Sequence, residues 1–260
     1  MAQTNPLAIR SANPALGADT FRGPSVARGS AAMTVDGTVN KTAVCLLLLL
    51  ATASWTWSLA AVDPLTGRGN PAAAGPWMMV GMIGGFVTAI ATTFKKEWAP
   101  VTAPAYAMLE GLALGGLSSV FEARYPGIAS QAVFLTFGTL GALLLAYRSG
   151  LIRATDNLRL GLFAATGGIA LIYLVNFVMH FFGSGIPMIH GSSPIGIGFS
   201  VVVVGVAALN LVLDFDFIEQ GAAQGAPKYM EWYGAFGLMV TLVWLYVEIL
   251  RLLSKLQERR

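Results

Sequence analysis

The chain alternates between polar loops and long uncharged stretches. A hydrocarbon core about 30 Å thick needs about 20 mostly apolar residues when crossed as a helix. Seven stretches near that length, bounded by charges or by Gly/Pro loops, run over residues 42–61, 77–93, 103–121, 128–147, 160–182, 195–215 and 232–253. They predict an all-α membrane protein with seven transmembrane helices. The third stretch carries Glu110 at its middle, and the fifth and sixth are parted only by the uncharged loop GSGIPMIHGSSP. Residues 1–40 are rich in Ala, Gly, Pro and Ser with little periodicity, so they read as a mobile tail ahead of a helical domain over 41–260. The first apolar run lies too far from the N-terminus, and lacks the short cleavable pattern, to be a signal peptide.

Composition agrees with this environment. Hydrophobic residues make up 55% of the chain and charged residues 11%, with a mean hydropathy of +0.67, against about 25% charged in soluble domains. Cys45 is the only cysteine, so no internal disulfide and no cysteine-rich metal site is available. The net charge of +3 does not indicate nucleic acid, because the basic residues are scattered between apolar runs instead of forming one patch.

Topology explains those basic residues better. With the N-terminus in the cytoplasm, Arg28, Lys41, Lys95, Lys96, Arg148, Arg153, Arg159 and Lys228 fall inside, and only Arg68 and Arg124 fall in outer loops. The positive-inside rule then favours a cytoplasmic N-terminus. The C-terminal RLLSKLQERR opposes it, since seven crossings would place Arg251, Lys255, Arg259 and Arg260 outside. Either the last segment crosses despite its basic tail, or it enters and returns.

Small residues recur at Gly84 with Gly85, Gly111 with Gly115, Gly138 with Gly141, and Gly167 with Gly168. In lipid such positions let helix backbones approach closely. The pattern is common to membrane helices of every function. Trp55, Trp57, Trp77, Trp98, Trp232 and Trp244 lie mostly near the ends of the expected spans, as interface residues do.

Function must come from the ionisable residues at membrane depth, which are costly and therefore either anchors or parts of an ion or proton pathway. In LVLDFDFIEQ, Asp214 follows Asn210 by four residues and shares its helix face, about one turn from the expected end of the sixth span. Asp216 and Glu219 are expected around the corner, solvated at a cytoplasmic mouth. Glu248 interrupts the last span, with Arg251 three residues on as an ion-pair partner. If Glu248 and Asp214 face each other, the two carboxylates share a proton, because both cannot easily ionise together. Glu110, beside Gly111, is expected to face protein or a water-filled cavity. Lys95 and Lys96 read as snorkelling anchors. His180 and His190, ten apart with no cysteine or carboxylate beside them, are better read as interface or loop polarity than as metal ligands.

The chain contains no GxSxG, HExxH, Walker A or strand-borne GxGxxG motif. Ser118 and Ser119 in GGLSSVFE stand near Glu122, but no histidine is placed to activate them, so no enzymatic activity and no cofactor are expected.

In the order of its spans, in MLEGLALGGLSSVFE, in LDFDFIEQ followed by a polar loop, and in EWYGAFGLMVTLVWLYVEILRLL, the chain from Met33 onward resembles the Bax inhibitor-1/YccA family, the transmembrane Bax inhibitor motif proteins. Its branch with extended N-termini, found in bacteria, is the nearest in pattern. The resemblance implies a central C-terminal helix wrapped by two layers of three helices. It also implies a pH-sensitive calcium leak, controlled by an acidic pair in the sixth and last helices. The first of the family's two motifs falls on Leu213-Asp214-Phe215-Asp216, where its Thr and Gln are missing. The second falls on Leu245-Tyr246-Val247-Glu248, where Glu replaces Asp nearer the C-terminus than is usual.

Two functions follow as expectations. The first is a cation leak, with Ca²⁺ as permeant ion, gated by protonation at Asp214 and Glu248, with Asp216, Glu110 and Asn210 along the pathway and Glu219 at its mouth. Ca²⁺ takes oxygen ligands, so a weak contact at Asp214 would suffice. The second is a non-conducting regulator that binds another membrane complex, such as a quality-control protease.

Overall fold

The computed structural model describes residues 32–60, 70–182 and 191–259; the tail up to residue 31, Arg68 and His190 lie outside the described residues. Among these the chain forms seven long helices and no strand. They are α1 (Val35–Ala60), α2 (Pro71–Phe94), α3 (Ala99–Arg124), α4 (Ile128–Arg148), α5 (Asp156–Phe181), α6 (Pro194–Ala223) and α7 (Met230–Glu258), with a single 3₁₀ turn, Lys96–Trp98, between α2 and α3. Each expected span lies in one helix to within a residue at its ends. Six of the seven are long and apolar enough to cross a membrane, which makes this an integral membrane protein. The exception is α3, where Ala, Gly, Ser and Thr dilute the apolar residues and Glu110, Glu122 and Arg124 add charge.

The helices outrun the apolar stretches because their polar ends are also helical. Asp36 and Asp156 sit in the first turns of α1 and α5, where a negative charge meets the positive end of the helix dipole. Residues 35–40, counted with the tail by composition, are therefore the first turns of α1. Likewise α6 continues to Ala223, so Asp216 and Glu219 are helical residues and not, as expected, beyond the helix end. Gly225, at φ 70°, then reverses the chain, with Ala226 N–H donating to Gly221 O at 3.1 Å. The 29 residues of α7 form one uninterrupted helix, about 43 Å long at 1.5 Å per residue. It is long and apolar enough to cross a membrane and has no break at which to turn back.

The described chain divides into two compact units. One holds the residues up to Ala129 together with Ile218–Val243, and so contains α1 to α3 and the first half of α7. Here the expected glycines work as contact points. A Cβ on Gly111 would meet Thr52 and the Leu49 carbonyl of α1, one on Gly115 would meet the Ala53 carbonyl, and one on Gly81 would lie 2.5 Å from Ala113 N of α3. Tyr106 of α3 packs edge-on against Phe236 of α7, with ring centres 5.0 Å apart.

The other unit holds Ser130–Phe217 and the chain from Trp244 onward, and so contains α4, α5, most of α6 and the second half of α7. Leu162 of α5 and Leu213 of α6 form a buried apolar cluster with Leu158, Val206 and Leu209. Gly138, Gly141, Gly167 and Gly168 meet nothing within 4 Å, so these four glycines, against expectation, mark no helix contact.

Candidate functional site

Among the described residues, the second unit holds four of the five buried charged groups, Arg159, Asp214, Glu248 and Lys255. On α6 the buried stripe runs through Ser200, Val203, Ala207, Asn210, Leu211 and Asp214, positions three and four apart on one face. Asp214 is fully buried, with Leu213 behind it and Phe215 against Tyr147 of α4. One turn earlier, Asn210 is 1% exposed. Its Nδ2 donates to Thr166 Oγ1 of α5 at 3.0 Å and to the Val206 carbonyl at 2.9 Å. A carbonyl only accepts, so it fixes which end of the amide is nitrogen. Among the described residues Asn210 Oδ1 is left buried with no hydrogen-bond partner.

Glu248 of α7 is also buried, at 2% exposure, and bears the expected ion pair with Arg251, Nη1 to Oε1 3.1 Å. It gains a partner that the sequence did not suggest. The Tyr173 hydroxyl of α5 lies 3.0 Å from both carboxylate oxygens, and the Arg251 guanidinium lies 5.2 Å from the Tyr173 ring centre. The carboxylate is thus held on two sides.

Asp216 corrects the expectation of a solvated loop residue. Arg159, in the first turns of α5, donates to its carboxylate at 2.6 Å and reaches Asp156 at 3.4 Å. Arg159 is itself nearly buried, so this pair ties α5 to α6. Glu219 is exposed, as a mouth residue should be. Glu110 lies in the first unit, where its carboxylate abuts Gly85 of α2 and is a side-chain hydrogen-bond partner of Tyr106, one turn earlier on α3. It faces protein, but in a different unit from Asp214 and Glu248.

Two buried ionisable groups escaped the sequence reading. Glu231, at the start of α7, is fully buried. It pairs with Lys41 of α1, accepts from Lys228 Nζ at 2.8 Å, and accepts from Thr34 through N–H at 2.9 Å and Oγ1 at 2.8 Å. A Cβ on Gly37 would fall onto its carboxylate, so a side chain there would push the carboxylate off its partners. Lys255, at the other end of α7, is buried against the start of α6. The signal for Glu231 was its position three residues after Lys228, on the first turn of an apolar helix.

Ser118 and Ser119 are buried and donate to their own helix at Leu114 O and Gly116 O, while Glu122 accepts from the N–H groups of Gly127 and Ala129 at the start of α4. Among the described residues no three His, Cys, Asp or Glu side chains come together as a metal site.

No curated protein and no solved structure gives a significant match to this sequence. The family described as Bax inhibitor 1 like matches residues 13–258, reaching about twenty residues further into the N-terminal tail than the motifs quoted above. With nearly the whole chain covered, the protein belongs to the Bax inhibitor 1 like family.

Proposed function

We propose that the protein is a proton-sensitive cation leak, with Ca²⁺ as its permeant ion, and that Asn210 and Asp214 form its ion contact. The observation that carries this reading is the orphaned Asn210 Oδ1. A buried acceptor without a partner costs about 1–3 kcal/mol, and an apolar residue on this face would avoid that cost. One turn away stands a buried carboxylate, so a cation arriving here would meet oxygen ligands of both kinds that Ca²⁺ uses, amide carbonyl and carboxylate. Protonating Asp214 removes the charge that attracts the ion, which makes the leak respond to pH.

Arg251 and Tyr173 hold the Glu248 carboxylate on two sides. In this reading Glu248 adds negative charge to the pathway, and Asp214 is its proton-sensitive contact. Glu219 makes the mouth acidic. In this reading all seven helices cross, with α3 carried across by its packing against α1 and α2. The family's layered arrangement, with α7 central, is supported by the burial of α7 along both halves, at Met230, Tyr233 and Phe236 and again at Leu245, Ile249 and Leu250.

In this reading the N-terminus is cytoplasmic on the balance of basic residues, the membrane is a bacterial inner membrane as the resemblance to the bacterial branch implies, and two of the opposing charges are accounted for. Arg251 is paired with Glu248 and Lys255 is buried, so they weigh less as topology signals. Purified protein in Ca²⁺-loaded vesicles tests the reading. A leak releases Ca²⁺ unaided and Asn210→Leu reduces it, whereas a regulator of another membrane complex is inert in the same vesicles.

A further inference from the structure

The buried end of α7 carries a cation that the pathway described above does not use. Lys255 is 7% exposed and follows Glu248 by seven residues, so it lies on the same face of the helix. Its ammonium donates to the Gly196 carbonyl at 3.1 Å and to Ser200 Oγ at 2.8 Å. Those two oxygens stand four residues apart on the first turns of α6, and Ser200 is itself 2% exposed. Holding an ammonium there is costly unless acceptors replace its water, and a methionine would fill the space without a charge.

A backbone carbonyl and a hydroxyl are also ligands that hard cations accept. Ser200 shares the buried stripe of α6 with Asn210 and Asp214, and fourteen residues of helix put it about 21 Å along the axis from Asp214. We propose that Gly196 O and Ser200 Oγ form a second cation site, at the opposite end of α6 from Asp214, and that the Lys255 ammonium occupies it as a tethered competitor of the permeating ion. This rests on the cation-leak reading. An ion leaving the Asp214 end must displace a charge that is covalently held, so the tether limits flux. The same contacts would serve a purely structural latch between α6 and α7, and charge is what separates the two roles.

The experiment measures Ca²⁺ release from vesicles holding Lys255→Met, Lys255→Arg and Lys255→Cys, the last on a Cys45→Ala background. Lys255→Met should raise release several-fold, and Lys255→Arg should leave it near wild type. Unmodified Lys255→Cys should leak like Lys255→Met; a reagent that adds an aminoethylthio group should restore the low rate, and one that adds a methylthio group should not. A wild-type leak that is unchanged in folded Lys255→Met, or that both reagents alter equally in Lys255→Cys, overturns the competitor role and leaves the Asp214 reading intact. No release from wild type or any variant removes the leak reading and this proposal with it.

Discussion

Arg159 and Asp216 join the first turns of α5 to α6 across 2.6 Å, in surroundings that leave Arg159 almost no water. The consequence is structural. Asp216→Asn should destabilise the protein by about 1.5–3 kcal/mol, the range for a hydrogen bond to a charged group, because it removes the nearer of the two carboxylates that face a nearly buried guanidinium. Thermal unfolding in detergent, run as a double-mutant cycle with Arg159→Gln, checks this: the two losses should be clearly less than additive. High salt should not reproduce the effect, as it would for a solvated mouth residue.

Glu231 makes a sharper stability prediction. Lys41 and Lys228 are 20% and 49% exposed and can turn to water when the carboxylate is removed, so the loss is that of several charged hydrogen bonds, each worth about 1.5–3 kcal/mol at most. Glu231→Ala should lower the unfolding temperature more than any Asp216 variant. Gly37→Ala should do so as well, because its methyl group would occupy the space of the carboxylate. An unchanged melting profile in both variants would mean that the start of α1 is not fixed to α7 through this contact.

The helices were legible because each apolar run is interrupted by charge or by Gly/Pro, and that boundary is local. Partners were not. Asp216 looks solvated until Arg159, 57 residues earlier, is seen beside it, and Glu231 looks like a helix-start flank until Lys41, 190 residues earlier, is brought to it. Lys255 reads as one more tail cation because nothing local shows that it folds against Gly196. The glycine pattern was right for Gly111 and Gly115 and wrong for Gly138 and Gly167, since small residues permit close approach without saying which helix approaches. Asn210 and Asp214 were readable as a pair from spacing alone, whereas the orphaned amide oxygen required the fold.

Topology has its own check. On a Cys45→Ala background, cysteines placed at Asp36 and at Glu258 should be labelled from opposite sides of the membrane by an impermeant reagent, Asp36 from the cytoplasmic side. Both are at helix ends, and Cys45 is fully buried, so its replacement by alanine is a small change. Labelling of both from one side would require α7, or an odd number of the other helices, not to cross.

If Glu248 serves only to add negative charge to the pathway, Glu248→Gln should lower Ca²⁺ flux about tenfold or more, the effect of about 1.4 kcal/mol on ion occupancy, and leave the shape of the pH response unchanged. Tyr173→Phe should act in the same direction more weakly, because Arg251 remains. A pH response abolished by Glu248→Gln would instead make Glu248 the titrating group.

The most direct measurement is Ca²⁺ release from vesicles across a pH series for wild type and Asp214→Asn. The amide keeps the shape of the side chain and one acceptor oxygen but cannot ionise. The cation-leak reading predicts that wild-type flux rises with pH as Asp214 ionises, and that Asp214→Asn lowers the flux and flattens its pH dependence. A folded Asp214→Asn protein with wild-type flux and wild-type pH response would contradict it, and would reduce Asp214 to a buried structural carboxylate.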